Sequence, residues 1–426
     1  MFQPAWNRVP VEIWNRVLLE AVLLDENKSP FLSATCTSSN YLAFKRTCGD
    51  RRSAAYRHEY KSIENHRRKL RLVCRAWKEF ADRWDLCDRW VTVRSLKNEI
   101  SDQTWRGALR VEYLDVSETW EHSIKSSIFC WKTLGGNGLR MTRLELLRLS
   151  KGEFKPILEV LFGAAKALPQ LRSLGLGVPD SYGGLPRKLS RFFPRLTHLT
   201  LDFTIVGPGE IVWDPPKGKE IPEGAVAEAN TLQLLDLEVL FLLRKEFLPD
   251  LDHWHLPRLK HFHAHPIGIL PVWTDTIYPF LLQHSATIET LDLDNTTIGA
   301  TGGLNRSDGQ YIVEPGFWDM FPSLQLIRYS SMNMKFSDYP RNDHPLRIVV
   351  ETDPIDLDHE LIQALKPWVQ GAHVKHPENI VVYGSYLVKS QHLVNRGEVQ
   401  HLLKLMTWNA TRLTNPWGKL WVNVLG

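Results

Sequence analysis

Three histidines, His261, His263 and His265, alternate along the stretch HFHAH and could together bind a metal ion. Alternate side chains of an extended strand point to the same face, so the three imidazole rings would share one side. Imidazole is a common ligand of Zn²⁺. However, no cysteine or acidic residue is spaced to complete a structural site. We therefore predict that these histidines bind no metal and that the protein has no cofactor.

Residues that could do covalent chemistry are also without a recognisable motif. The 426 residues include no GxSxG, HExxH or phosphate-binding loop, and no glycine-rich dinucleotide turn. The five cysteines form no CxxC pair, and none has a familiar catalytic context. We predict that the protein is not an enzyme.

Positive charge is concentrated near the N-terminus. Twelve Lys or Arg residues and only three acidic residues lie between Lys45 and Lys78, although the whole chain has a net charge of only +4. Such a local excess predicts one acidic partner surface. Phosphate binding by the 45–78 segment is an alternative, but the sequence offers no base-reading module, so we expect no nucleic acid partner.

Hydropathy predicts neither a secretion signal nor a membrane span. The most apolar segment, LQLLDLEVLFLLRKEF, is interrupted by Asp236 and Glu238 and then by Arg244 and Lys245. Unpaired cysteines are typical of reducing compartments. We expect a protein of the cytoplasm, the nucleus or both, with no membrane contact.

Two amphipathic helices are predicted in the first ninety residues. The first covers VPVEIWNRVLLEAVLL, in which Pro10 suits the first turn. The second is expected to run from about His66 to Trp84, with apolar residues at helical spacing and a basic opposite face. The polar stretch 25–65 between them is predicted to be a loop-like insertion.

These two segments resemble an F-box, the three-helix motif that docks onto the Skp adaptor of cullin–RING ubiquitin ligases. Glu12 and Arg75 belong to the matching pattern, and the resemblance to fungal F-box proteins with leucine-rich repeats implies that the adaptor is bound by Pro10, Ile13, Val17, Leu18, Leu70, Val73, Cys74 and Trp77. The adaptor is acidic in this family, so the basic flank would accelerate encounter. The alternative is a helical hairpin that only caps the rest of the chain.

A short apolar unit, LxxLxL, recurs along the remainder of the chain. Its first positions are 25 to 36 residues apart, and the eight copies begin at Val111, Leu144, Leu171, Leu196, Leu232, Leu259, Ile288 and Leu324. Repetition at such a period predicts a stack of similar units. The last two apolar positions of each copy should form a strand with one buried face.

The predicted fold is an α/β repeat solenoid, similar to leucine-rich-repeat proteins, with parallel strands on its concave face and a small all-α F-box-like motif at its start. Helices should precede strands, as in EFKPILEVLFGAAKAL and DTIYPFLLQHSATI. An ordinary α/β fold is the alternative. We predict three regions: 1–90, the solenoid at 91–345, and an irregular cap at 346–426 that contains strand, helix, strand and helix.

Polar residues that flank the buried strand positions should line the concave face of such a stack and bind a protein target. The predicted target-binding residues are Asp115, Asp202, Asp236, Glu238, His263, Asp292, Asp294 and Arg328. Together with the F-box resemblance, this predicts an adaptor that holds an unidentified protein substrate for ubiquitination. A repeat scaffold without a ligase link is the alternative function.

Overall fold

The computed structural model describes part of the chain. The described residues are 13, 17, 69–81, 90–92, 113–115, 143–146, 158–159, 161–163, 165–169, 171–178, 184–202, 231–245, 251–266, 277–293, 311–330, 334–351, 358–370, 374–382 and 397–414. The chain forms two compact units, one of residues 1–36 and 43–177 and the other of residues 37–42 and 178–426. The predicted insertion at 25–65 lies outside the described residues.

Parallel strands form the described framework of the first unit. They are β1 (Trp90–Thr92), β2 (Tyr113–Asp115), β3 (Arg143–Leu146) and β4 (Ser173–Gly177), and they pair in that order. Leu144 is fully buried and lies in register with Leu114 and Leu174. Residues 158–159 and 161–163 are helical, as the pattern of the preceding segment predicted.

The predicted frame of the second repeat was wrong by three residues. We expected Leu147 and Leu149 to be the strand positions after Leu144, but β3 contains Leu144 and Leu146. The same LxxLxL spacing also fits a copy that begins at Met141. Pairing with the neighbouring strands decides between the two frames, because it places Leu144 beside Leu114 and Leu174.

The second predicted helix is interrupted. Residues 71–73 form a turn closed by hydrogen bonds from Leu72 N to Lys69 O and from Val73 N to Leu70 O, each 3.1 Å long, and helix α1 (Arg75–Ala81) follows. These three-residue bonds are tighter than those of an α-helix, so they break the helical row. Ile13 and Val17 are helical, as predicted.

The second unit is built on an open row of eight parallel strands. In order these are β5 (His198–Asp202), β7 (Val239–Lys245), β9 (His261–Pro266), β10 (Thr290–Asp292), β12 (Leu326–Tyr329), β14 (Ile348–Glu351), β15 (Asn379–Val382) and β16 (Arg412–Thr414). Two short parallel pairs lie beside the row, namely β6 (Leu232–Gln233) with β8 (Trp254–His255), and β11 (Tyr311–Val313) with β13 (Met334–Phe336). The prediction of an α/β fold with parallel strands is confirmed.

One apolar side chain from each of the eight strands lies in register with the next, and all eight are almost fully buried. They are Leu199, Leu240, Phe262, Leu291, Ile327, Val349, Ile380 and Leu413. Short side-chain hydrogen bonds also join successive repeats. Thr287 Oγ1 donates to Leu259 O at 2.7 Å, and Ser323 Oγ donates to Ala286 O at 2.9 Å. Each strand therefore depends on its neighbours for burial.

Helices cover the face of the sheet that carries this row. They are α2 (Leu185–Phe192), α3 (Tyr278–His284), α4 (Phe317–Met320), α5 (Asp358–Val369) and α6 (Gly397–Trp408). Phe280 of α3 packs on Phe262 with ring centres 5.3 Å apart. Trp368 of α5 donates from Nε1 to Tyr329 Oη at 3.1 Å. The predicted strand, helix, strand and helix after residue 345 are confirmed as β14, α5, β15 and α6.

A second predicted frame, the one that begins at Leu232, was wrong by five residues. Leu235 is 60% exposed, and the strand that joins the eight-strand row begins at Val239. Leu240 and Leu242 occupy the positions that were assigned to Leu235 and Leu237. The stretch LEVLFL has the same spacing as LQLLDL, so the pattern alone could not separate them.

Candidate functional site

The predicted adaptor-binding residues of the first helix are accessible where the structure describes them. Ile13 is 52% exposed and Val17 is 49% exposed. Residues four apart in a helix lie on the same face, so the two side chains form one apolar edge. Pro10 and Leu18 lie outside the described residues.

The predicted residues of the second segment also remain accessible. Val73 is 58% exposed, and Leu70, Cys74 and Trp77 are partly exposed. Leu72 was not predicted to bind, yet it is 86% exposed. Leu72 and Val73 both lie in the turn at 71–73 that interrupts the predicted helix, and both are exposed there.

The predicted target-binding residues are distributed differently from the expectation of one open face. Asp115 lies on β2, beside Thr92 and Glu145 in register, and Asp294 lies outside the described residues. Asp202 on β5 is buried, with 7% of its surface exposed. The face opposite the helices is therefore closed to solvent at this strand.

Asp236 and Glu238 do not lie on a strand of the sheet. The corrected frame places both before β7, in the turn that leads into it. Asp236 Oδ1 accepts a hydrogen bond from Arg258 Nη1 at 3.0 Å, and Glu238 Oε1 lies 3.9 Å from Lys260 Nζ. Both pairs are accessible, so each contributes little to stability.

His263, Asp292 and Arg328 are brought together by three neighbouring strands. Asp292 on β10 is in register with His263 on β9 and with Arg328 on β12. Its Oδ2 atom lies 2.6 Å from His263 Nδ1 and accepts a hydrogen bond from Arg328 Nη1 at 3.1 Å. We call these three residues the cross-strand cluster. It lies on the face opposite the helices, because side chains alternate along each strand.

The cross-strand cluster is shielded from water. His263 is 1% exposed, Asp292 is fully buried, and the Arg328 side chain is 12% exposed. The ring of Phe241 on β7 lies 4.8 Å from the His263 ring. Burial of both faces is typical of parallel sheets, whereas an open concave face was predicted here. The prediction that His263 and Asp292 lie on an accessible face was therefore wrong, because both side chains are buried.

A second pair of polar side chains precedes the cluster on the same two strands. His261 and Thr290 are in register, and both are buried. Within the described residues, His261 Nδ1 and Thr290 Oγ1 have no hydrogen-bond partner. Burial, with a smaller contribution from the nearby Lys260 charge, lowers the pKa of His261 to about 4. The imidazole is therefore neutral at physiological pH.

The chemistry of this region is that of a buried ionic contact. The Asp292 carboxylate lies between an imidazole and a guanidinium and so links three strands, and its hydrogen bond from Arg328 is of the charge-assisted kind. Imidazole and carboxylate are also metal ligands. Across the described ranges, however, no three His, Cys, Asp or Glu side chains are grouped so that they could hold a metal ion. The rest of the described chain likewise contains no helix that is long and apolar enough to span a membrane.

Accessible polar residues at the starts of the strands were not predicted from the sequence. Lys260 precedes β9, and Arg347 precedes β14. Arg347 binds Glu378 through two hydrogen bonds of 2.8 and 3.1 Å, and this contact raises the pKa of the guanidinium. The sequence contained a usable signal for Lys260, because this residue directly follows Leu259, the first apolar position of its repeat.

Comparison with known proteins identifies no family. No family model matches the chain, and no curated protein matches it either. Among solved structures, the crystal structure of a Bacteroides fragilis protein from a structural genomics programme covers 76% of this chain and 82% of its own, with 10% identity and a TM-score of 0.32.

Proposed function

We propose that this chain is a substrate-recognition adaptor of a Skp–cullin–F-box ubiquitin ligase, with no chemistry of its own. The Skp adaptor binds the N-terminal helices, and a protein target binds the repeat region. Because both are held by one chain, the target reaches a high effective concentration near the ubiquitin-loaded enzyme. The protein acts without a cofactor in the cytoplasm or the nucleus.

The observation that carries this proposal is the exposed apolar surface on the residues that resemble an F-box. Ile13, Val17 and Val73 are each about half exposed, although apolar side chains at helical spacing are ordinarily covered. Exposed apolar groups of this kind are typical of surfaces that a partner buries. The resemblance to F-box proteins implies that this partner is the Skp adaptor, and the basic 45–78 segment is complementary to an acidic adaptor.

The repeat region is proposed to be a leucine-rich-repeat-like solenoid. Two features support this. Within each compact unit the repeats contribute strands to a parallel row, and side chains of two repeats donate hydrogen bonds to carbonyl groups of the preceding repeat. The target then meets the accessible residues at the strand starts, including Lys260, Arg347 and Glu378, since His263 and Asp292 are buried.

The test is calorimetric titration of the full-length protein with the Skp adaptor, using Ile13→Asp with Val17→Asp as one variant. Trp408→Asp is the matched control, because Trp408 is an exposed apolar residue of α6 and is 88% exposed. Interface anchors contribute about 2 kcal/mol or more, so we expect the N-terminal variant to bind at least about thirty-fold more weakly. The control should bind like the wild type.

Two outcomes would contradict the proposal. Absence of binding by the folded wild-type protein at micromolar concentration would leave a repeat scaffold without a ligase link. Equal weakening by Ile13→Asp with Val17→Asp and by Trp408→Asp would show that the measured binding is not specific to the N-terminal helices. Thermal melting of each free variant checks that it is folded, because replacing exposed side chains should leave the melting temperature within a few degrees.

A further inference from the structure

Helix α2 carries a row of basic residues on its accessible side. Arg187 and Arg191 are exposed, Lys188 lies beside them, and Arg195 is exposed in the turn that follows the helix. The stretch 184–201 contains these four cations and no acidic residue. Three of these four cations lie on the eight-residue helix itself, so its accessible side is locally basic.

The geometry of α2 explains why these side chains face outward together. Leu185, Pro186 and Leu189 are buried and form the opposite side of the helix. Arg187 and Arg191 are four residues apart, so they project in the same direction about 6 Å from each other along the axis. The Arg191 guanidinium lies 5.5 Å from the centre of the Phe192 ring, a cation–π contact that limits its freedom.

An exposed apolar residue lies close to this basic row. Ser190 Oγ of α2 accepts a hydrogen bond of 2.8 Å from the backbone N–H of Gln233, so β6 runs beside the helix. Two residues after Gln233, Leu235 is 60% exposed. The surface thus combines guanidinium groups with one accessible apolar side chain.

We propose that this surface binds an extended acidic segment of a partner protein. Alternate residues of an extended peptide point the same way and are about 7 Å apart, which is close to the spacing of Arg187 and Arg191. Arginine forms two parallel hydrogen bonds with a carboxylate, so two alternating Glu or Asp residues fit the row. An apolar residue that follows them in the peptide covers Leu235.

A peptide matches the surface better than a nucleic acid does. The phosphodiester backbone supplies negative charge, but it has no apolar side chain to cover Leu235. The acidic partner binds on the helix side of the second unit, whereas the proposed Skp contact uses residues of the first unit. This inference therefore stands or falls independently of the ligase link.

The experiment measures fluorescence anisotropy of a labelled peptide with three alternating glutamates and a leucine-rich end, titrated with the full-length protein. Two further probes are the same peptide with glutamine in place of glutamate and a single-stranded DNA oligonucleotide. The test variant is Arg187→Glu with Arg191→Glu. The matched control is Lys335→Glu with Lys404→Glu, since these lysines are exposed on β13 and α6 and the change in net charge is the same.

We expect saturable binding of the glutamate peptide that falls about ten- to hundred-fold in the α2 variant and less than about two-fold in the control. The glutamine peptide should bind at least about ten-fold more weakly than the glutamate peptide, and Leu235→Ser should weaken binding a few-fold. Circular dichroism and thermal melting confirm folding, and Arg187→Gln with Arg191→Gln replaces the charge reversal if that variant does not fold.

Four results would overturn the inference. They are no saturable binding of the glutamate peptide, equal loss of affinity in the α2 and control variants, equal affinity for the glutamine peptide, and tighter binding of the oligonucleotide with the same dependence on Arg187 and Arg191. The second result would mean that only the net charge of the chain matters. The last would assign the surface to nucleic acid.

Discussion

His263 Nδ1 lies 2.6 Å from Asp292 Oδ2, and both residues are buried on the face of the sheet opposite the described helices. The contact joins adjacent strands at matching register positions, with Arg328 on the other side of the carboxylate. A charge this deep in the protein depends on its partners, because it cannot be solvated by water. The cross-strand cluster thus links three neighbouring strands at matching register positions.

Replacing Asp292 by alanine should lower the free energy of unfolding by about 3–5 kcal/mol, because the Arg328 charge would lose this carboxylate partner in a poorly solvated site. Urea denaturation followed by circular dichroism measures this change. Asp236→Ala is the control, since the Asp236–Arg258 pair is accessible and should contribute at most about 1 kcal/mol. Similar losses in both variants would show that the cluster does not stabilise the sheet.

Much of the parallel framework could be predicted from the apolar repeat. The copies beginning at Leu171, Leu196, Leu259 and Leu324 place their last two positions on the observed strands. The copy at Ile288 places Leu291 on β10, and its last position, Leu293, directly follows that strand. The copies at Leu144 and Leu232 were assigned the wrong frame because a second match overlaps each of them. Register depends on the neighbouring strand, and a single chain segment contains no information about that neighbour.

The corrected frame at β7 can be tested by truncating one leucine that the predicted frame buries and one leucine that the observed frame buries. Leu240 is fully buried, so Leu240→Ala should cost about 2–5 kcal/mol of stability. Leu235 is 60% exposed, so Leu235→Ala should change stability by no more than about 0.5 kcal/mol. Urea denaturation gives both values. If the frame that begins at Leu232 were right, Leu235→Ala would cost more stability than Leu240→Ala.

The candidate site was less predictable than the fold. His263, Asp292 and Arg328 were each identified as polar residues flanking buried strand positions, but the sequence did not indicate that they contact one another. That contact requires three strands at matching register, which follows only from the pairing of the whole row. Their burial was also unexpected, because alternation of polar and apolar residues is typical of a strand with one wet face.

Buried neutral histidines should make the protein lose stability in mild acid. Burial lowers the pKa values of His261, His284 and His344 below the usual 6.5, and that of His261 falls to about 4. Between pH 6.5 and 4 the unfolded chain therefore binds more protons than the folded chain, so the free energy of unfolding falls as pH falls. For His261 alone the loss between pH 7 and 4.5 should be about 2–3 kcal/mol.

Urea denaturation of wild type and of His261→Gln at a series of pH values isolates this contribution. The variant should lose about 2–3 kcal/mol less than the wild type between pH 7 and 4.5, whatever its stability at neutral pH. His401→Gln, which removes an exposed histidine of α6, is the control and should follow the wild-type curve. Parallel curves for wild type and His261→Gln would contradict the lowered pKa.

The hydrogen bond between Trp368 and Tyr329 should stabilise the contact between α5 and the sheet. Trp368 Nε1 donates to Tyr329 Oη at 3.1 Å, and both side chains are buried. Tyr329→Phe removes the acceptor and leaves the indole N–H unsatisfied, which should cost about 1–3 kcal/mol. Trp368→Phe and the double variant complete a mutant cycle measured by urea denaturation. Because Trp368→Phe already removes the donor, Tyr329→Phe should lower the free energy of unfolding less in that variant than in the wild type. Strictly additive losses of stability would show that the hydrogen bond contributes nothing.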